Sequence, residues 1–160
     1  MKKNKGFTLV ELVIVITIIG ISASILGFMM LGTVKAWTFK LNRNDVLWDG
    51  RLALDRMTRE IRTVKDTASI TTATSSQFSF TDAANKAITY SLSSTNLNRT
   101  ENAVTNLLAE NVSSLAFTYY DTAGVVTGVL ANIRRVRINL TLTKNGQNVY
   151  LQSDASAKNF

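Results

Sequence analysis

The hydrophobic pattern divides the chain into three stretches. From Phe7 to Val34, 28 residues carry a single charge, Glu11. A helix of that length would reach about 42 Å at ~1.5 Å per residue, more than the roughly 30 Å hydrocarbon core of a bilayer. Trp37, Phe39 and Leu41 follow, aromatic and apolar residues of the kind that sit at a membrane–water boundary. Asn42-Arg43-Asn44-Asp45 reads as a break with a new N-cap at Asn44. Then Leu47, Gly50, Leu54, Met57, Ile61 and Val64 recur at spacings of three and four, one apolar stripe on an amphipathic helix that ends near Asp66. Arg51–Asp55, Asp55–Arg59 and Arg56–Glu60 lie four apart on its wet side and read as solvated ion pairs. The stripe is short for a coiled-coil seam, so a sheet of the same chain is its expected partner.

Beyond the helix the period changes to two. Thr67–Ser76 has no helical period and reads as a loop. Phe78 and Phe80, then Ile88, Tyr90 and Leu92, then Leu115, Phe117 and Tyr119 alternate as half-buried strands do. Asn96–Glu110 shows no clear period, with Leu107-Leu108 expected under a loop, and Asp121-Thr122-Ala123-Gly124 reads as a turn. Val136, Ile138, Leu140 and Leu142 alternate with polar residues up to Asn145-Gly146, a type I′ hairpin signal. That turn pairs Lys144 with Gln147, Leu142 with Val149, and Leu140 with Leu151, so both strands bury the same face. The expected fold class is α+β: a long N-terminal α-helix with its hydrophobic half protruding and its amphipathic half packed on an antiparallel β-sheet.

Composition narrows the chemistry. The 160 residues include no Cys, no His and no Pro. The common zinc ligands and the Ser-His and Cys-His nucleophile pairs are therefore missing. Asp121 and Asp154 stand isolated, without calcium-loop spacing. No catalytic residues, metal or cofactor are expected, and the chain reads as a non-enzyme. Arg134, Arg135 and Arg137 read as a solvated sheet face, since only Arg135 and Arg137 share a side and no aromatic row accompanies them; this argues against a nucleic acid partner. Asn98-Arg99-Thr100, Asn111-Val112-Ser113 and Asn139-Leu140-Thr141 match the glycosylation acceptor pattern no more often than chance in so Asn-, Ser- and Thr-rich a chain.

Glu11 remains to be explained. A carboxylate in a membrane helix is costly unless it meets a partner. An ordinary secretory signal has an apolar region of about 7–15 residues, roughly half of this run. A simple signal anchor fits the length but leaves Glu11 without a role. The segment Lys5-Gly6-Phe7-Thr8-Leu9-Val10-Glu11, with its apolar continuation, resembles the class III leader of type IV pilins and related prepilin-type proteins. The resemblance implies that Gly6 is the last leader residue, cut by a prepilin peptidase. Phe7 becomes the new N-terminus and is N-methylated, and Glu11 is the acidic group used in assembly. It implies a leader at 1–6, a transmembrane and filament-core helix at 7–34, an amphipathic helix half at 35–66 and a β-sheet domain at 67–160. The formal net charge of +7 falls to +4 once Lys2, Lys3 and Lys5 leave with the leader.

Elementary physics agrees with those roles. Cleavage after Gly6 exposes an ammonium at Phe7 that can neutralise Glu11 in an apolar medium, and Glu11 also suits the positive end of a helix macrodipole. Gly20 and Gly27 lie seven residues apart, on nearly one helix face, as close helix packing requires. Many pilins have a proline in this helix; here Phe28 stands near its place. Arg51–Arg62 resembles the second helical half of minor pilins and of the larger minor pseudopilins of type II secretion. Ile133–Leu142 and the closing Ala157-Lys158-Asn159-Phe160 are similar to their last strands. The implied partners are a prepilin peptidase/methyltransferase, other pilin or pseudopilin subunits, an inner-membrane assembly platform and, before assembly, membrane lipid. Lys35, Lys40 and Arg43 weaken the charge asymmetry, so orientation rests on the resemblance: a single-pass inner (cytoplasmic) membrane protein with an outward C-terminal domain, later part of an extracellular or periplasmic filament. The residues leave one other class open, a membrane-anchored binding module, adhesin or DNA receptor, that does not polymerise.

Overall fold

Residues 8–157 are described in the computed structural model. Among them the chain forms one long α-helix and eight strands, and divides between Leu41 and Asn42 into two units. The helix, α1, spans Leu9–Ile61. In the first unit every described side chain from Leu9 to Val34 is exposed. Thr8 caps this end, its hydroxyl accepting the Glu11 N–H at 3.3 Å. Three hydroxyls in the apolar run bend back onto the helix: Thr17 donates to Ile14 O at 2.8 Å, Ser24 to Gly20 O at 2.8 Å and Thr33 to Met29 O at 3.0 Å. Those polar groups are thereby satisfied without water.

The break expected at Asn42-Arg43-Asn44-Asp45 is absent, since helical backbone runs through all four. Asn and Asp each cost at most about 0.7 kcal/mol inside a helix, too little to interrupt one favoured on both sides. The side chains of Phe39, Leu41 and Asn44 lie outside the described residues, and Trp37 is exposed. The helix also stops at Ile61 rather than near Asp66. There the sheet offers better partners: Val64 bridges Asp82, Lys65 N donates to Thr81 O at 3.2 Å and Ala83 N to Thr63 O at 2.8 Å.

The second unit holds two antiparallel sheets. The first is a meander in chain order: β1 (Ile70–Ala73), β2 (Gln77–Thr81), β3 (Ala87–Ser93), β4 (Asn96–Glu101) and β5 (Val104–Ala109). The second is β6 (Val112–Tyr120), β7 (Arg135–Lys144) and β8 (Gln147–Ser156). Strands also lie within Thr67–Ser76, expected as a loop, and within Asn96–Glu110, which showed no clear period. Thr67–Ser69 is a short 3-10 turn capped by Asp66, whose carboxylate accepts Ser69 N–H at 2.7 Å; β1 follows because Ile70 is buried. Asn96–Glu110 contains β4 and β5, joined by Asn102 and Ala103 at φ 47° and 70°. Leu107 does not tuck under a loop: it is 51 % exposed on β5. The β7–β8 hairpin has the register expected from Asn145-Gly146, with Lys144 opposite Gln147, Leu142 opposite Val149 and Leu140 opposite Leu151.

The core forms where α1 meets both sheets. Ala53, Leu54, Met57 and Ile61 are buried, Leu47 is half-buried, and Val64 continues the stripe past the helix end. Gly50 is where the helix comes closest: a Cβ there would lie 2.6 Å from Leu142 Cδ1 and 2.7 Å from Leu151 Cδ1. Phe78 touches Phe80, Phe117 and Tyr119 at ring separations of 5.2, 5.9 and 5.5 Å, joining the two sheets. Tyr119 satisfies its buried hydroxyl by donating to Thr74 O at 2.7 Å.

Candidate functional site

Glu11 sits in the first turn of α1, three residues after its N-cap Thr8. A carboxylate there faces the positive end of the helix dipole. Thr8-Leu9-Val10-Glu11 is the capping-box spacing, a signal legible in the sequence that the apolar run obscures. Along Leu9–Val34, Glu11 is the one ionisable side chain, exposed among exposed aliphatic residues. The other two site residues, Gly6 and Phe7, lie outside the described residues. Gly20, Gly27 and Gly32 would place a Cβ in open space, with no atom within 4 Å. This face therefore has no partner among the described residues of its own chain. The helix passes Phe28 without interruption, and that ring is exposed.

The second polar centre lies in the folded unit, and sequence reasoning missed it. Glu60 does not merely face solvent. Its carboxylate accepts Arg99 Nε at 3.0 and 2.8 Å, Arg56 Nε at 3.1 Å and the hydroxyl of Tyr90. Arg99, only 5 % exposed, also reaches Glu101 at 2.6 Å, and Glu101 in turn holds Lys86 at 2.8 Å. The network ties the last turn of α1 to β3 and β4. Burial works to raise the Glu60 pKa, but the hydrogen bonds from Arg99, Tyr90 and Arg56 outweigh it and hold the carboxyl below its usual range. The Lys86 ammonium, then the Arg99 guanidinium, holds Glu101 down at about 2. Burial, then the bond to Glu60, pushes the Tyr90 phenol up, so it stays a donor. Of the three ion pairs expected on this helix face, only Arg56–Glu60 is among those observed. In sequence, Arg99 stood out only within a chance acceptor pattern; its register opposite Tyr90 is what brings it to Glu60.

On β7, Arg135 and Arg137 share the sheet face opposite buried Val136 and Ile138, as expected. Asp154 is not isolated: it takes two hydrogen bonds from Arg137, at 2.9 and 3.1 Å, which hold its carboxyl below the usual range. An aromatic ring does accompany the basic face, with Arg135 4.5 Å and Arg137 5.2 Å from the Tyr120 centroid. These contacts hold the pair along the face of their own sheet that points away from the core. Asp121 accepts Ala123 N–H and Val125 N–H at 2.9 Å each, closing its own turn.

Known proteins share features of the first centre. Residues 1–32 match the prokaryotic N-terminal methylation motif, a span that includes Gly6, Phe7 and Glu11. No curated protein matches the chain significantly. Leu9–Val34 is long and apolar enough to cross a membrane.

Proposed function

We propose that this type IV pilin-like chain is a minor subunit, a pilin or pseudopilin, of a type IV pilus-like filament. The observation that carries this reading is the lone carboxylate of Glu11 at the capped start of Leu9–Val34, an otherwise apolar and exposed helix half. Before assembly, the helix holds the precursor in the cytoplasmic membrane, with the folded unit outside. A prepilin peptidase cuts after Gly6, and Phe7 receives the methyl group. The released ammonium and Glu11 then form an opposite-charge pair. Leaving one charge of such a pair buried alone costs about 3–5 kcal/mol. A helix entering a bundle therefore favours the position at which a neighbour's ammonium meets its carboxylate. Gly20 and Gly27, open on nearly one face, let those helices approach closely. The resemblance of Arg51–Arg62 to minor subunits supports the minor over the major role.

The test is intact mass with N-terminal peptide mapping, on protein made beside a prepilin peptidase and recovered from sheared and membrane fractions. The expected species starts at Phe7, carries one added methyl group and appears with sheared filaments. A chain starting at Met1 would reduce the helix to a signal anchor. A processed chain that stays wholly in the membrane fraction would make it an anchored binding module instead.

A further inference from the structure

Within the folded unit, α1 and β5 bound an open cleft of about 540 Å³, lined by Leu52, Arg56, Arg59, Glu60, Leu107 and Leu108. Its apolar wall comes from three leucines. Leu52 is 65 % and Leu107 51 % exposed. Two successive leucines reach the cleft because the β4–β5 register slips there: Leu97 faces Ala109, Asn98 faces Leu107, and Leu108 is the extra residue. Such a bulge resets the alternation of side chains.

The charge on this surface is positive. Glu60 is saturated by Arg99, Tyr90 and Arg56. Arg56 uses only its Nε on that carboxylate, so its two terminal nitrogens stay available. Arg59 makes no hydrogen bond or ion pair with the described residues. Beside these forks, β5 ends its sheet, and its outer edge pairs with no strand among the described residues. Val104–Ala109 contains no charge and no proline, and its one irregularity, the bulge at Leu108, lies at the end of the strand that lines the cleft.

Three demands therefore fall on one occupant. A free strand edge takes an extended backbone. The leucines take an aliphatic side chain. Two guanidinium forks take a carboxylate. We propose that this cleft docks an extended segment of a partner protein, which adds to β5 as a strand, pairs an acidic side chain with Arg56 and Arg59, and lays an aliphatic neighbour on Leu52, Leu107 and Leu108. The free-edge strands of a second copy are a poorer match: β5 and β1 carry no carboxylate within Val104–Ala109 or Ile70–Ala73, and Asp154 of β8 is already held by Arg137. The inference is independent of the filament reading, since the cleft lies wholly in the folded unit.

The test uses the full chain in detergent micelles and a blocked, fluorescently labelled heptapeptide of alternating valine and threonine with one central glutamate. The same peptide with glutamine or lysine in that place is the control. The glutamate peptide binds at least tenfold more tightly than either control and slows amide exchange across 104–109. Arg59→Gln removes at least a tenfold share of that affinity, and Leu107→Gln weakens all three peptides. Both side chains are exposed, so both variants keep the wild-type melting temperature. Equal binding of the three peptides, no binding, or full affinity in Arg59→Gln overturns the proposal. So does self-association that protects 104–109 without peptide, which would assign the cleft to a second copy.

Discussion

The two glycines Gly20 and Gly50 lie in the same helix and have opposite surroundings. A Cβ on Gly20 meets nothing within 4 Å, whereas one on Gly50 meets two leucine methyls below 3 Å. The same contrast runs through the whole of α1. Leu9–Val34 is apolar and exposed, while Ala53, Leu54, Met57 and Ile61 are apolar and buried by the chain's own sheets. Burial of a large aliphatic side chain yields about 1.5–3 kcal/mol. The second half collects that energy on folding, and the first half leaves it for lipid or other chains. Hydrophobicity alone thus says little about where a helix packs. Periodicity says more: a stripe has a partner on one side, and an unbroken apolar run has its partners outside the chain.

Substitutions sharpen the contrast. The largest effect is expected where α1 is locked to the sheet. Arg99→Ala leaves two carboxylates without their buried partner and lowers the stability of the folded unit by about 3 kcal/mol, the low end for a buried ion pair because both carboxylates keep some water. Chemical denaturation followed by near-ultraviolet circular dichroism of the buried Tyr90 and Tyr119 reads this, and a loss under about 1 kcal/mol would make the network ornamental. Gly50→Val forces a branched side chain onto Leu142 and Leu151 and costs about 2 kcal/mol, while Gly20→Val leaves the same unfolding curve in place. Equal effects at the two sites would erase the distinction between the halves.

A smaller effect is expected from acid. Glu101 is held down at about 2 by Lys86 and Arg99, below the unfolded carboxylate value of about 4.3. Its contribution is therefore fully present above about pH 4.3 and is lost as pH falls toward 2. Melting temperatures between about pH 5 and 2.5 should fall less steeply in Glu101→Gln than in the parent; parallel curves would remove Glu101 from the account. The smallest effect concerns the β4–β5 turn. Ala103 has φ 70°, a conformation that suits glycine, so Ala103→Gly is expected to stabilise the folded unit by about 0.5–1 kcal/mol.

Much of this was legible in the sequence. The stripe from Leu47 to Val64, the strands around Phe78, Tyr90 and Phe117, and the Asn145 hairpin register follow from period and turn chemistry. The β4–β5 hairpin did not, because its turn is Asn-Ala rather than Asn-Gly and most of β5 is exposed on both faces, so no alternation marks it. The helix break at Asn44 misled because capping residues signal an end only where the flanking pattern also stops. Glu60 looked solvated because its partners Tyr90 and Arg99 lie 30 and 39 residues away, and only strand register brings them to it. Glu11, in contrast, announces itself: a single charge in an apolar run needs no tertiary structure to be noticed.

The proposed role of this charge is to place the subunit in a filament. The most direct test compares wild type with Glu11→Ala in cells that make the prepilin peptidase, measuring the subunit in sheared filaments and the mass of its N-terminal peptide together. The account predicts normal cleavage before Phe7, an unchanged melting temperature for the folded unit, and loss of the subunit from the filament fraction. Glu11→Ala protein that is cleaved normally and enters filaments at wild-type levels would contradict it.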